Sequence, residues 1–160
     1  MIERPCLRRI KPVDIGPVLA ILPGLQFIGV NTAGSVADPN KYPCFAVLQA
    51  SFPAALKEFV AGLELGGRLA RAILRKLPPL QSIPPHIDTW MPAEMDWRRF
   101  QVPIVSHPDI VMAWPDDGVA EHLEPGWLYE VRFDRTHEVV NPVPGVERIH
   151  LQIDQVGATI

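Results

Sequence analysis

Arg148-Ile149-His150-Leu151-Gln152-Ile153-Asp154 alternates polar and apolar residues without a break. A period of two marks a β-strand, because successive side chains on a strand point to opposite faces. Ile149, Leu151 and Ile153 form one face; Arg148, His150, Gln152 and Asp154 form the other. Segments of the same kind recur toward the N-terminus. In 127–133, Trp127, Tyr129, Val131 and Phe133 share a face, and 110–114, 100–105, 83–90 and 69–77 are further strands, with a short one at 136–141. Turn formers separate them: Pro78-Pro79, Pro108, Asp116-Asp117-Gly118, Pro125-Gly126 and the Pro/Gly stretch 142–145. Roughly eight short strands at such spacing predict a mainly β fold, a sandwich or jelly roll. The 18 prolines agree, since proline breaks helices and favours short elements joined by shaped loops.

The first 67 residues read differently. Residues 1–12 are an arm or short edge strand. Asp14 caps a short helix that Pro23-Gly24 ends, 25–30 is a buried strand, 31–43 a loop and 45–49 another strand. Ser51 is the N-cap of the clearest helix, with Pro53 in its first turn and Gly66-Gly67 at its end. Leu56, Phe59, Val60 and Leu63 fall at i, i+3, i+4 and i+7, one apolar face that packs on the outside of a sheet. The expectation is one domain, with 1–67 as a flanking helical and strand layer and 68–154 as the β core.

The chain has 160 residues and 48% hydrophobic content, enough for one core. A net charge of −3 with no basic tract argues against nucleic acid as partner. No apolar run is long enough to span a bilayer, and the N-terminus lacks the apolar core of a signal peptide. Cys6 and Cys44 stand apart, in no metal-like spacing. Two reduced thiols in a cytoplasmic protein is the expectation.

The chemistry centres on Pro85-His86-Ile87-Asp88-Thr89-Trp90. On a strand, His86 and Asp88 point to one face and offer an imidazole and a carboxylate to one point. Trp90 shares that face. With a distant histidine they would complete the 2-His-1-carboxylate set that holds non-haem Fe(II) and leaves positions open. His107 and His122 read as loop residues; His137, at the start of a short strand, and His150, on the polar face of the last one, are the candidates. Arg148 stands eleven residues after His137. On adjacent strands joined by the turn at 142–145, both would face one cavity. A cavity with a divalent metal and a buried arginine suits a dicarboxylate, one end on the metal and the other in the guanidinium fork. Arg99 is a second cation, and Gln101 shares its face.

In their order, His86-x-Asp88, Arg99-Phe100-Gln101-Val102-Pro103-Ile104, Pro125-Gly126, His137 and Arg148-Ile149-His150-Leu151-x-x-Asp154 resemble the aspartyl/asparaginyl β-hydroxylase family. The resemblance covers about residues 68–154. It implies a double-stranded β-helix, cupin-like, and an Fe(II)- and 2-oxoglutarate-dependent dioxygenase that uses O2. It implies that His86, Asp88 and His137 bind iron and that Arg148 pairs with the distal carboxylate of 2-oxoglutarate. Arg99 would hold the end of 2-oxoglutarate nearest the metal, with Gln101 beside it where family members often have histidine. The implied reaction hydroxylates a C–H of an amino acid, peptide or small metabolite and releases succinate and CO2. The alternatives are a metal-binding cupin without oxygenase chemistry, such as a zinc hydrolase, an isomerase or a small-molecule sensor, and an interaction module that keeps only the fold.

Overall fold

A computed structural model describes residues 5–30, 44–88 and 95–157. Trp90 and the expected loop 31–43 lie outside the described residues. In chain order the elements are β1 (Leu7–Pro12), α1 (Gly16–Ile21), β2 (Ile28–Val30), β3 (Cys44–Leu48), α2 (Ala54–Gly62), β4 (Arg68–Leu77), β5 (Ser82–His86) and β6 (Trp97–Val105). They continue with β7 (Val111–Trp114), β8 (Val119–Glu121), β9 (Trp127–Val131), β10 (His137–Val140) and β11 (Arg148–Val156).

The strands form two antiparallel sheets. One has seven strands in the order β1-β9-β6-β11-β4-β3-β2, the other four in the order β5-β10-β7-β8. The sheets face each other as the two walls of a cupin-like jelly roll, with α1 and α2 against the outside of the larger one. Each face of the large sheet has its own apolar core. Leu74, Phe100, Val102, Leu151 and Ile153 pack outward against Val18, Leu56 and Leu63 of the helical layer. Ile73, Leu77, Tyr129 and Val131 pack inward against Ile83, Met112, Trp114 and Val139.

β11 lies near the middle of the large sheet, between β4 and β6. Arg148 to Gln155 are all buried. Its apolar face meets the helices, so Arg148, His150, Gln152 and Asp154 point between the two sheets. Register carries their neighbours to the same face. Arg75 of β4 pairs with His150 and Arg71 with Asp154. On β6, Gln101 pairs with Gln152 and Arg99 with Asp154.

The helices follow the expected faces but not the expected ends. Asp14 is not the N-cap of α1: that position is Ile15, with no side-chain cap bond, and Asp14 Oδ1 accepts the Gly16 N–H at 2.9 Å from one residue earlier. Ser51 sits in a single 3-10 turn, so α2 starts after Pro53 and stops at Gly62. Gly67 has another role: at φ 63° its added Cβ would lie 2.4 Å from the Val156 carbonyl oxygen, so only glycine fits where the chain enters β4. The short strand β8 carries too little alternation to be read from sequence. Among the described residues no helix is long and apolar enough to cross a membrane.

Two local expectations need correction. The strand expected over 83–90 stops at His86, because β5 carries Pro84 and Pro85 and lies at a sheet edge, where missing N–H donors are tolerated. Asp88 therefore lies beyond the strand, its N–H donating to the Phe133 carbonyl at 3.3 Å. The turn at 142–145 does not join adjacent strands. It crosses from β10 in the small sheet to β11 in the large one, so His137 and Arg148 come from opposite walls.

Candidate metal centre and anion pocket

β5 and β10 pair so that His86 and His137 are direct partners. Their rings lie 4.3 Å apart between centroids, tilted by 50°. His86 Nε2 is 3.9 Å from Asp88 Oδ1, and His137 Nε2 is 3.9 Å from Asp88 Oδ2. One donor atom from each of the three lies within 4.8 Å of the others. The histidine that joins His86 and Asp88 at this point is thus His137. His150, the rival, sits on the opposite wall.

Tautomers are fixed by the backbone. His86 Nδ1 lies 2.8 Å from the Pro84 carbonyl and His137 Nδ1 2.9 Å from the Arg135 carbonyl. A carbonyl only accepts, so each Nδ1 carries the proton and each Nε2 presents a lone pair toward Asp88. Burial, reinforced by His86 close by, pushes the His137 pKa down to about 4, so its imidazole is neutral at physiological pH. Burial alone would raise the Asp88 carboxyl, but Arg99 overrides it and holds Asp88 below the usual carboxylate range. Two imidazole Nε2 atoms and an ionised carboxylate are a suitable donor set for a divalent transition metal. Fe(II) fits these residues.

Arg99 is 3% exposed and lies against the Phe133 ring, 4.8 Å from its centroid. It donates through Nη1 to Asp88 Oδ2, through Nε to Asp154 Oδ1 at 2.6 Å and through Nη2 to Asp154 Oδ2 at 3.3 Å. Asp154 also accepts from Arg71 at 2.8 and 3.0 Å and from Gln152 at 3.2 Å. Arg98, its neighbour in sequence, turns to the other face and pairs with Glu130 at 2.6 Å.

Farther along the same buried face, Arg148 is only 4% exposed. It donates to Gln101 Oε1 at 3.2 Å, and no carboxylate pairs with it among the described residues. Burial, with Arg75 nearby adding to it, pulls its pKa down to about 9. Gln101 Oε1 also lies 3.0 Å from His150 Nδ1. Because that oxygen accepts, His150 carries its proton on Nδ1, and its buried Nε2 has no hydrogen-bond partner. Gln101 therefore orients Arg148. Arg75, whose Nε donates to Gln152 Oε1 at 3.1 Å, joins this surface without having been singled out from sequence. Its signal was present: Arg71 and Arg75 fall four apart in β4, on one face.

No family model and no curated protein matches the chain. Solved structures do. A prolyl-4-hydroxylase from Pseudomonas putida is 15% identical, over 97% of this chain and 94% of that one, with a TM-score of 0.62. An oxidoreductase of the 2OG-Fe(II) oxygenase family from Burkholderia pseudomallei is 12% identical, over 94% and 85%, with a TM-score of 0.60. A viral collagen prolyl hydroxylase from Paramecium Bursaria Chlorella virus-1, solved with 2OG, is 12% identical, over 94% and 96%, with a TM-score of 0.56. These likenesses establish the shared fold. The narrower resemblance to aspartyl/asparaginyl β-hydroxylases rests on the sequence motifs alone.

Proposed function

We propose that the chain is an Fe(II)- and 2-oxoglutarate-dependent oxygenase that hydroxylates a C–H of an amino acid, peptide or small metabolite. One observation carries this reading. A metal-ready His86/Asp88/His137 set on one wall faces an interior where Arg148, on the other wall, is a buried guanidinium with no acid partner among the described residues. Structures of the same fold, one described as a 2OG-Fe(II) oxygenase family oxidoreductase and one as a prolyl hydroxylase in complex with 2OG, support it.

His86, His137 and Asp88 would hold Fe(II), whose chemistry when bound is to activate O2 with 2-oxoglutarate so that one oxygen enters succinate and the other the substrate C–H. The residues do the rest. The Arg148 fork accepts the distal carboxylate of 2-oxoglutarate, which supplies the charge the pocket lacks. Gln101 fixes the fork's direction by accepting one of its N–H groups. The apolar residues around the seam, among them Ile73, Leu77 and Met112, keep water from the reacting atoms.

The reading is tested by incubating the protein with Fe(II), 2-oxoglutarate, ascorbate and O2 and measuring succinate and CO2. Slow uncoupled turnover is expected from the wild type, and its loss from His137→Ala and Arg148→Ala. Metal-loaded, folded protein that makes no succinate would support a metal-binding cupin without oxygenase chemistry instead.

A further inference from the structure

Asp88 is a ligand with little to hold it. It lies past the end of β5, and one backbone hydrogen bond of 3.3 Å, to Phe133, ties it down. Its side chain nonetheless has a defined direction, and Arg99 supplies it. The guanidinium binds two carboxylates at once, Asp88 through Nη1 and Asp154 through Nε and Nη2. Asp154 cannot swing away: it is 0% exposed, and Arg71 and Gln152 also donate to it. Register holds Arg71, Asp154 and Arg99 side by side across β4, β11 and β6.

Resting on the metal centre proposed above, we infer that Arg99 is the positioning residue of that centre, a fork locked by Asp154 that holds Asp88 by one oxygen. The engaged atom is Oδ2. Among the described residues no donor reaches Oδ1, which lies 3.9 Å from His86 Nε2, as Oδ2 lies 3.9 Å from His137 Nε2. Held through Oδ2, Asp88 keeps Oδ1 for a metal. This departs from the role the family resemblance implies for Arg99, at the metal-proximal end of 2-oxoglutarate. Lysine in its place would keep the charge but lacks the planar fork that reaches two acids.

The test is a Co(II) titration of the metal-free protein, followed by calorimetry and visible absorption, for wild type, Arg99→Lys and Asp154→Asn. Folding is checked by circular dichroism. Wild type should bind one equivalent. Arg99→Lys should lose affinity by about 10- to 100-fold, the usual cost of removing a residue that orients a metal ligand. Its Co(II) bands should shift as Asp88 turns, while at saturating Co(II) its affinity for 2-oxoglutarate stays within a few-fold of wild type. Unchanged Co(II) affinity and bands with 2-oxoglutarate binding lost would overturn the inference and return Arg99 to the cosubstrate. If Arg99→Lys does not fold, Asp154→Asn decides: a weaker site with shifted bands supports the fork, and a wild-type site overturns it. Wild-type protein that binds no Co(II) would overturn the metal centre itself, a different result from intact binding in every variant.

Discussion

The two ends of the polar face of β11 are equally buried and differently furnished. At one end Asp154, fully enclosed, receives donors from Arg71, Arg99 and Gln152, and Arg99 reaches on to Asp88. Two carboxylates and two guanidinia balance there. At the other end Arg148 meets the neutral Gln101, and His150 Nε2 has no hydrogen-bond partner among the described residues. A buried charge without a counter-charge costs several kcal/mol. The balanced end is therefore read as scaffold for the metal ligands, and the unbalanced end as a place completed by a ligand.

The contrast can be broken at either end. The largest effect is expected from Asp154→Ala, which takes from Arg71 its pairing with Asp154 and leaves the buried Arg99 with Asp88 alone, and should cost about 4 kcal/mol in urea unfolding. Leu151→Ala, on the other face of the same strand, should cost about 3 kcal/mol by leaving a cavity against the helices; a cost above that of Asp154→Ala would argue against the ion cluster as scaffold. Acid should act on the metal-free protein through His137. Its folded pKa of about 4 lies below the ordinary 6.5, so the unfolded chain takes up the proton first. Stability should be full above about pH 6.5 and fall by on the order of 3 kcal/mol as the pH drops to 4. His150, also held well below its ordinary value by burial, pulls the same way. Thermal melts across that range check it, and flat melting temperatures would contradict it. Arg148→Met should have the smallest effect on stability, within about 1 kcal/mol of wild type and on the stabilising side, because it removes a buried charge that no carboxylate balances among the described residues.

Much of this was legible in the sequence. Alternation in 148–154 gave the strand, and the order His86, Asp88, His137, Arg148 gave the residues that the fold brings to one interior. Alternation alone does not say whether a polar face meets water or a second sheet. It marks Asp154 as polar without revealing that three residues donate to it. Pairing across sheets was out of reach for the same reason. A Pro/Gly turn at 142–145 reads the same whether it closes a hairpin or crosses between walls. Arg99 shows the limit most clearly: its charge and the face it shares with Gln101 were readable, but its partners, Asp88 beyond the end of a strand and Asp154 on the neighbouring one, depend on tertiary placement.

The central claim is that one interior holds both a metal and a dicarboxylate. An anaerobic titration of the metal-free protein with Fe(II) and then 2-oxoglutarate tests it most directly, by watching for the visible metal-to-ligand charge-transfer band. The band should saturate at one equivalent in wild type, be absent in His137→Ala and need far more 2-oxoglutarate in Arg148→Met. Well-folded wild-type protein that binds Fe(II) without giving the band, or an Arg148→Met variant that saturates like wild type, would contradict it.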